Sequence, residues 1–175
     1  VYNDRDETPI TRMATAAMLR EGLAKAQRYQ QELDFAESDP DEHMPDYDAK
    51  SEALLPLLER DVKAHFHCHR ADDICTAIRI AKEFNLDYVI IHGTEGHLIA
   101  DILAEENAPV IAGPILCDRC KPEMQHLTIS GPSIMQKAGV KLALCTDHPV
   151  IPIQYLPTTA ALAVKGGMQR EDALY

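Results

Sequence analysis

The sequence predicts an α/β protein, a parallel sheet with helical crossovers that is preceded by two helices. Three observations predict it. From Val62 onward, short apolar runs alternate with segments of helical period, four times in succession. The second run, Tyr88-Val89-Ile90-Ile91, is continuously apolar, as a strand covered on both faces should be. Upstream, Ile10, Met13, Ala14, Ala17 and Met18, then Leu19, Leu23, Ala26 and Leu33, recur at helical spacing with no proline between them.

Taken in order, Thr8-Pro9 supplies a helix start, and one long helix runs from there to about Ala36 with Gly22 as its only breaker. A polar, acidic loop from Glu37 to Asp48, with Pro40 and Pro45, connects it to a second helix over Ala49 to about Arg60, rich in leucine. Val62 to His67 is the first strand. Asp72 or Asp73 opens a helix whose stripe is Ile74, Ala77, Ile78, Ala81 and Phe84, ending near Asn85. The second strand ends in His92-Gly93, and Thr94 caps a helix that buries Leu98, Ile99, Ile102 and Leu103 and stops at Asn107. Pro109 to Ala112 is the third strand and Lys141 to Cys145 the fourth. Between them lie a long loop, Gly113 to Ser130, and a short helix over Ser133 to Lys137. Gly166-Gly167 reads as a helix stop, and Arg170 to Tyr175 as the opening turns of another helix.

The chain of 175 residues is long enough for one domain with a sizeable core and short for two. Its net charge of −11 argues against a nucleic-acid or anionic-membrane surface. The apolar runs fall far below the roughly 18 residues of a membrane span. Five cysteines, without the spacing of a disulfide framework, point to a reducing cytoplasm. The N-terminal residue is Val, not Met, and the last helix reads as unfinished, so a piece of a longer protein is expected.

The chemistry concentrates in Lys63-Ala64-His65-Phe66-His67-Cys68-His69-Arg70-Ala71-Asp72-Asp73. Side chains alternate faces along a strand, so His65, His67 and His69 share one side. In parallel sheets functional groups gather beyond the carboxyl ends of the strands. Three of the four strands end there in groups that can hold a metal: His67 and His69, then His92, then Asp147-His148. Imidazole and carboxylate suit zinc and similar divalent ions, and a carboxylate beside a metal-activated water can act as general base. These residues alone point to a metal-dependent hydrolase on an α/β scaffold.

The series His67-Cys68-His69-Arg70-Ala71-Asp72-Asp73-Ile74, then Ile91-His92-Gly93-Thr94-Glu95-Gly96-His97, then Thr146-Asp147-His148-Pro149 resembles the amidohydrolase superfamily, in its imidazolonepropionase-like and Xaa-Pro dipeptidase-like branch. The resemblance implies a partial TIM-type (βα)8 barrel made of about its last four βα units. Residues 1–60 would be a helical segment leading in, and residues 61–175 the C-terminal half of the catalytic domain. It implies hydrolysis of a carbon–nitrogen bond in a small-molecule amide, cyclic amide, Xaa-Pro or N-acyl substrate. One or two divalent ions, zinc foremost, would serve the full-length enzyme. Residue by residue, it gives His67, His92 and Asp147 as metal ligands, with His69 as the alternative to His67, and Asp147 as general base and acid. His69, His97, His148 and Arg70 would contact substrate or brace the ligands, and His65 would pack one layer deeper.

The family's first-strand His-x-His pair and its fourth-strand bridging group have no counterpart here, so the isolated chain is expected to be inactive. The alternative is a non-catalytic half-barrel, an assembly module with vestigial ligands. Half a barrel leaves two open sheet edges, so self-association is expected in either case. Cys117-Asp118-Arg119-Cys120 is a lone pair of thiols, read as reduced loop cysteines rather than a zinc site, and Cys68, Cys75 and Cys145 read as core.

Overall fold

The computed structural model describes residues 8–39 and 41–174. Pro40 of the acidic loop, Tyr175 and residues 1–7 lie outside them. The described chain forms two compact units, one holding the residues up to Ala64 together with 80–87, the other holding 65–79 and 88 onward.

In the first unit, α1 (Arg12–Ser38) is the long helix the apolar spacing predicts. Its N-cap is Thr11 rather than Thr8: the Thr11 hydroxyl oxygen accepts from the Ala14 N–H at 3.1 Å. Leu23, Ala26 and Tyr29 form its buried face, whereas Met13 and Met18 at its start stay exposed. The expected second helix is two short ones, α2 (Ala49–Glu52) and α3 (Leu55–Leu58). Pro56 explains the break, since a proline clashes with the carbonyl four residues before it, and α2 ends at that residue, Glu52. Lys25–Asp48 at 2.7 Å and the Tyr29 hydroxyl donating to Glu52 at 2.6 Å tie α1 to α2.

The second unit holds the sheet apart from Ala64. Its strands are β1 (Ala64–Cys68), β2 (Tyr88–His92), β3 (Val110–Ala112) and β4 (Leu142–Leu144), in the order β1-β2-β3-β4. The pairing is parallel, with Ile91 beside Ile111 and Ile111 beside Ala143. Between the strands run α4 (Ala71–Glu83), α5 (Ala100–Glu105) and α6 (Gly131–Lys137), and α7 (Leu156–Lys165) follows β4. The segment after β2 starts as a 3-10 turn over Gly96–Ile99 before α5. Gly96 allows this tight approach, because a Cβ there would stand 2.6 Å from the Met135 sulfur.

Ile74, Ile90, Leu103, Val110 and Met135 close the core between helices and sheet. Each such side chain contributes about 2 kcal/mol by leaving water. A second cluster fixes the long loop after β3: its Ile115, Met124 and Leu127 pack with Ala163 and Met168. The loop beyond the strand ends is therefore anchored from inside. Among the described residues, no helix is long and apolar enough to cross a membrane.

Candidate metal centre

Parallel strands of successive βα units deliver their carboxyl ends to one side, and His67, His69 and His92 come together there. One ligand atom each from His67, His69 and His92 lies within 4.8 Å of the others. The ring centroids of His67 and His92 are 4.2 Å apart, and those of His69 and His92, nearly parallel, 4.9 Å apart. Ligand atoms around a tetrahedral zinc sit about 3.3 Å from one another, so a small rotamer adjustment would bring the three onto one ion.

Hydrogen bonds orient two of the three rings. His92 is buried, and its Nδ1 lies 2.6 Å from the Gly113 carbonyl. A carbonyl only accepts, so Nδ1 carries the proton and Nε2 keeps its lone pair. That Nε2 stands 4.0 Å from Asp147 Oδ2. His69 Nδ1 is 2.8 Å from the Thr94 hydroxyl. Its Nε2 is buried with no hydrogen-bond partner. An unpartnered buried polar atom costs about 1–3 kcal/mol, and a metal ion would remove that cost. The donor set and this orphaned nitrogen fit a divalent ion.

His92 and Asp147 both hold left-handed backbone, φ +74° and +54°. Side chains other than glycine adopt it at a cost of about 1–3 kcal/mol. Gly113, φ +138°, is needed where it is: a Cβ there would lie 2.1 Å from the Cys145 carbonyl oxygen.

Burial lowers the His69 pKa to about 4, helped by the charges His92, His67 and Lys121 would bring. Burial likewise lowers His67, with His92 and Lys121 adding to it and Asp147 opposing. Both rings are thus held neutral, the form that binds metal.

The remaining expected residues divide. Arg70 is spent on a two-pronged ion pair with Asp72, at 2.9 and 3.1 Å. His97 is half-buried with Nδ1 3.1 Å from the Thr94 carbonyl. His148 is exposed, and so is His65, which does not pack beneath the cluster as its place on the strand suggested. Cys68 is buried, and burial and then Asp73 push its thiol up to about 12, as a packed side chain requires. Cys117 and Cys120 are free thiols, and among the described residues neither joins a metal-binding group.

Sequence reasoning missed Glu95 and His126. Glu95 is buried: its N–H donates to the His69 carbonyl at 2.8 Å, and its carboxylate accepts from Ala71 N–H at 2.9 Å and from His126 Nδ1 at 2.7 Å. No local spacing could reveal a pair 31 residues apart.

Parallel βα units in series with imidazoles and a carboxylate at their carboxyl ends define part of a TIM-type barrel. The chain matches no family model and none of the curated proteins compared. It is similar to a solved crystal structure of an amidohydrolase from Thermotoga maritima MSB8, at 42% identity and a TM-score of 0.93, covering 99% of this chain and 45% of that one. The chain thus spans less than half the length of that protein. The fold is that of part of an amidohydrolase barrel, and the likeness supports the amidohydrolase superfamily.

Proposed function

We infer that this chain carries part of the active site of a metal-dependent hydrolase that cleaves a carbon–nitrogen bond in a small amide, in the imidazolonepropionase-like branch. His67, His69 and His92 would hold the ion, zinc foremost, with Asp147 beside them. The observation that carries this reading is the buried, partnerless Nε2 of His69 within a cluster of three imidazoles.

A bound zinc would supply Lewis acidity toward a carbonyl oxygen and lower the pKa of water. The chain's own residues do the rest. Thr94 and the Gly113 carbonyl fix the ring orientations of His69 and His92. Asp147, with a side chain 44% exposed, is open to both water and substrate, and its carboxylate can take a proton from water and return it to the leaving nitrogen.

The test is a panel of cyclic amides, N-acyl amino acids and Xaa-Pro dipeptides offered to the longer protein that contains this chain. Zinc-dependent turnover that Asp147→Asn lowers by about a hundredfold or more is expected. Full turnover after metal removal would contradict the reading.

A further inference from the structure

Cys117-Asp118-Arg119-Cys120 lies in the loop after β3, and the hydrolase reading gives it no task. Both thiols are free, and they stand in different surroundings. Cys117 is half-buried and packs against the cluster of Ile115, Met124, Leu127, Ala163 and Met168. Its Sγ donates to the Pro114 carbonyl at 3.3 Å. Cys120 is exposed.

The turn that carries them is held at both ends. The chain bends at Leu116 and Cys117, and again at Lys121, so the two cysteines do not sit on an extended segment. Between them, the Asp118 carboxylate accepts the Arg119 N–H at 2.8 Å, and the Arg119 guanidinium donates to the Leu127 carbonyl at 2.7 Å. After them, the Met124 N–H donates to the Lys121 carbonyl at 2.9 Å. Met124 and Leu127 are both buried in the loop's own core. Burial, then the charge on Cys120, pushes the Cys117 thiol up, as two neighbouring sulfurs would.

We propose that Cys117 and Cys120 are a reversible oxidation site, which closes to an internal disulfide by exchange with a low-molecular-weight disulfide. Two cysteines separated by two residues in a bent segment are the usual frame for such exchange. The exposed Cys120 thiolate attacks one sulfur of the small disulfide, forming a mixed disulfide and releasing one thiolate. Cys117 then gives up its proton and attacks the Cys120 sulfur, which breaks the mixed disulfide and releases the second thiolate. Two cysteine thiols are oxidised to one disulfide, the small disulfide is reduced to two thiols, and both cysteine protons end on those products. Closure consumes the Cys117 S–H and with it the bond to Pro114, the residue after Gly113, whose carbonyl holds His92. The proposal does not depend on the hydrolase reading.

The test equilibrates the longer protein that contains this chain with glutathione, oxidised and reduced in equal parts, at a total of about 0.1 mM, a tenth of the millimolar effective concentration that one loop thiol offers another. EDTA keeps free metal off the thiols, and exchange is stopped by alkylation in acid. Trypsin cuts after Arg119, between the two cysteines, so internal closure appears as two peptides joined through sulfur. That species should exceed the glutathione adduct at Cys120 by about tenfold, and dithiothreitol should remove both. The anchored loop should hold this ratio at least about threefold above its value in urea, where the anchors are gone. Cys117→Ser should carry the adduct at Cys120 and form no internal disulfide. The proposal is overturned if both thiols stay reduced, if the adduct outnumbers the internal disulfide, or if either cysteine pairs with a different one such as Cys145. A ratio no higher in the folded protein than in urea overturns it as well.

Discussion

Gly113→Ala tests how the strand ends hold the site. The added Cβ would lie 2.1 Å from the Cys145 carbonyl oxygen and 3.0 Å from its carbon, both backbone atoms that no side-chain rotation can clear. The exit of β3 must then move away from that of β4. Overpacking of this kind costs about 1–3 kcal/mol, and a φ of +138° costs an alanine about as much again. A loss of about 2–6 kcal/mol is a large share of the 5–15 kcal/mol that holds a domain of this size, and lowers Tm by on the order of 10 °C. Gly139→Ala is the control, since Gly139 also has positive φ, +95°, but no atom within 4 Å of an added Cβ. Urea unfolding of the metal-free chain, followed by circular dichroism, compares the two. Because the Gly113 carbonyl braces His92, zinc affinity should also fall, by about 10–100-fold. Unfolding free energies for the two variants within about 0.5 kcal/mol of each other would refute the reasoning.

Three other outcomes are expected. The His69 pKa, about 4 against 6.5, is depressed by folding, so the unfolded chain takes up the proton first. The stability this gives is present above about pH 6.5 and lost as pH falls toward 4. His69→Ala should flatten the slope of unfolding free energy over that interval, and an unchanged slope would count against it. The isolated chain, with three imidazoles and one carboxylate, should show no amide turnover, and zinc-dependent hydrolysis by it in the same panel would show that it needs no further ligands. With β1 and β4 at the two edges of the sheet, backbone groups along both strands remain open to pairing. Sedimentation equilibrium at micromolar concentration should find a dimer or larger, whereas a monodisperse monomer of 19.5 kDa would contradict it.

What the sequence disclosed and what it hid have physical reasons. Strand ends were legible because a parallel sheet enforces apolar runs between helical stripes, and His67, His92 and Asp147 each sit where such a run stops. The left-handed turns at His92 and Asp147 were not legible, since neither residue type demands φ > 0. His67 and His69 could not be separated by strand alternation, which puts both on one face, and the structure brings both beside His92. Pro56 splitting the second helix was a local signal masked by the surrounding leucines. Glu95 and His126 were hidden for another reason: a loop held by its own buried Met124 and Leu127 joins them, and no period encodes that.

Zinc titration of the chain, wild type against His67→Ala, His69→Ala and His92→Ala, tests the metal centre most directly. Isothermal calorimetry should find one ion per wild-type chain. Each substitution should weaken binding by at least about a hundredfold, because even the groups that only brace a ligand are worth 10–100-fold. His65→Ala, which removes an exposed imidazole outside the cluster, should bind as wild type does. Zinc affinity that is unchanged when His69 or His92 is removed would contradict a metal held by these three imidazoles.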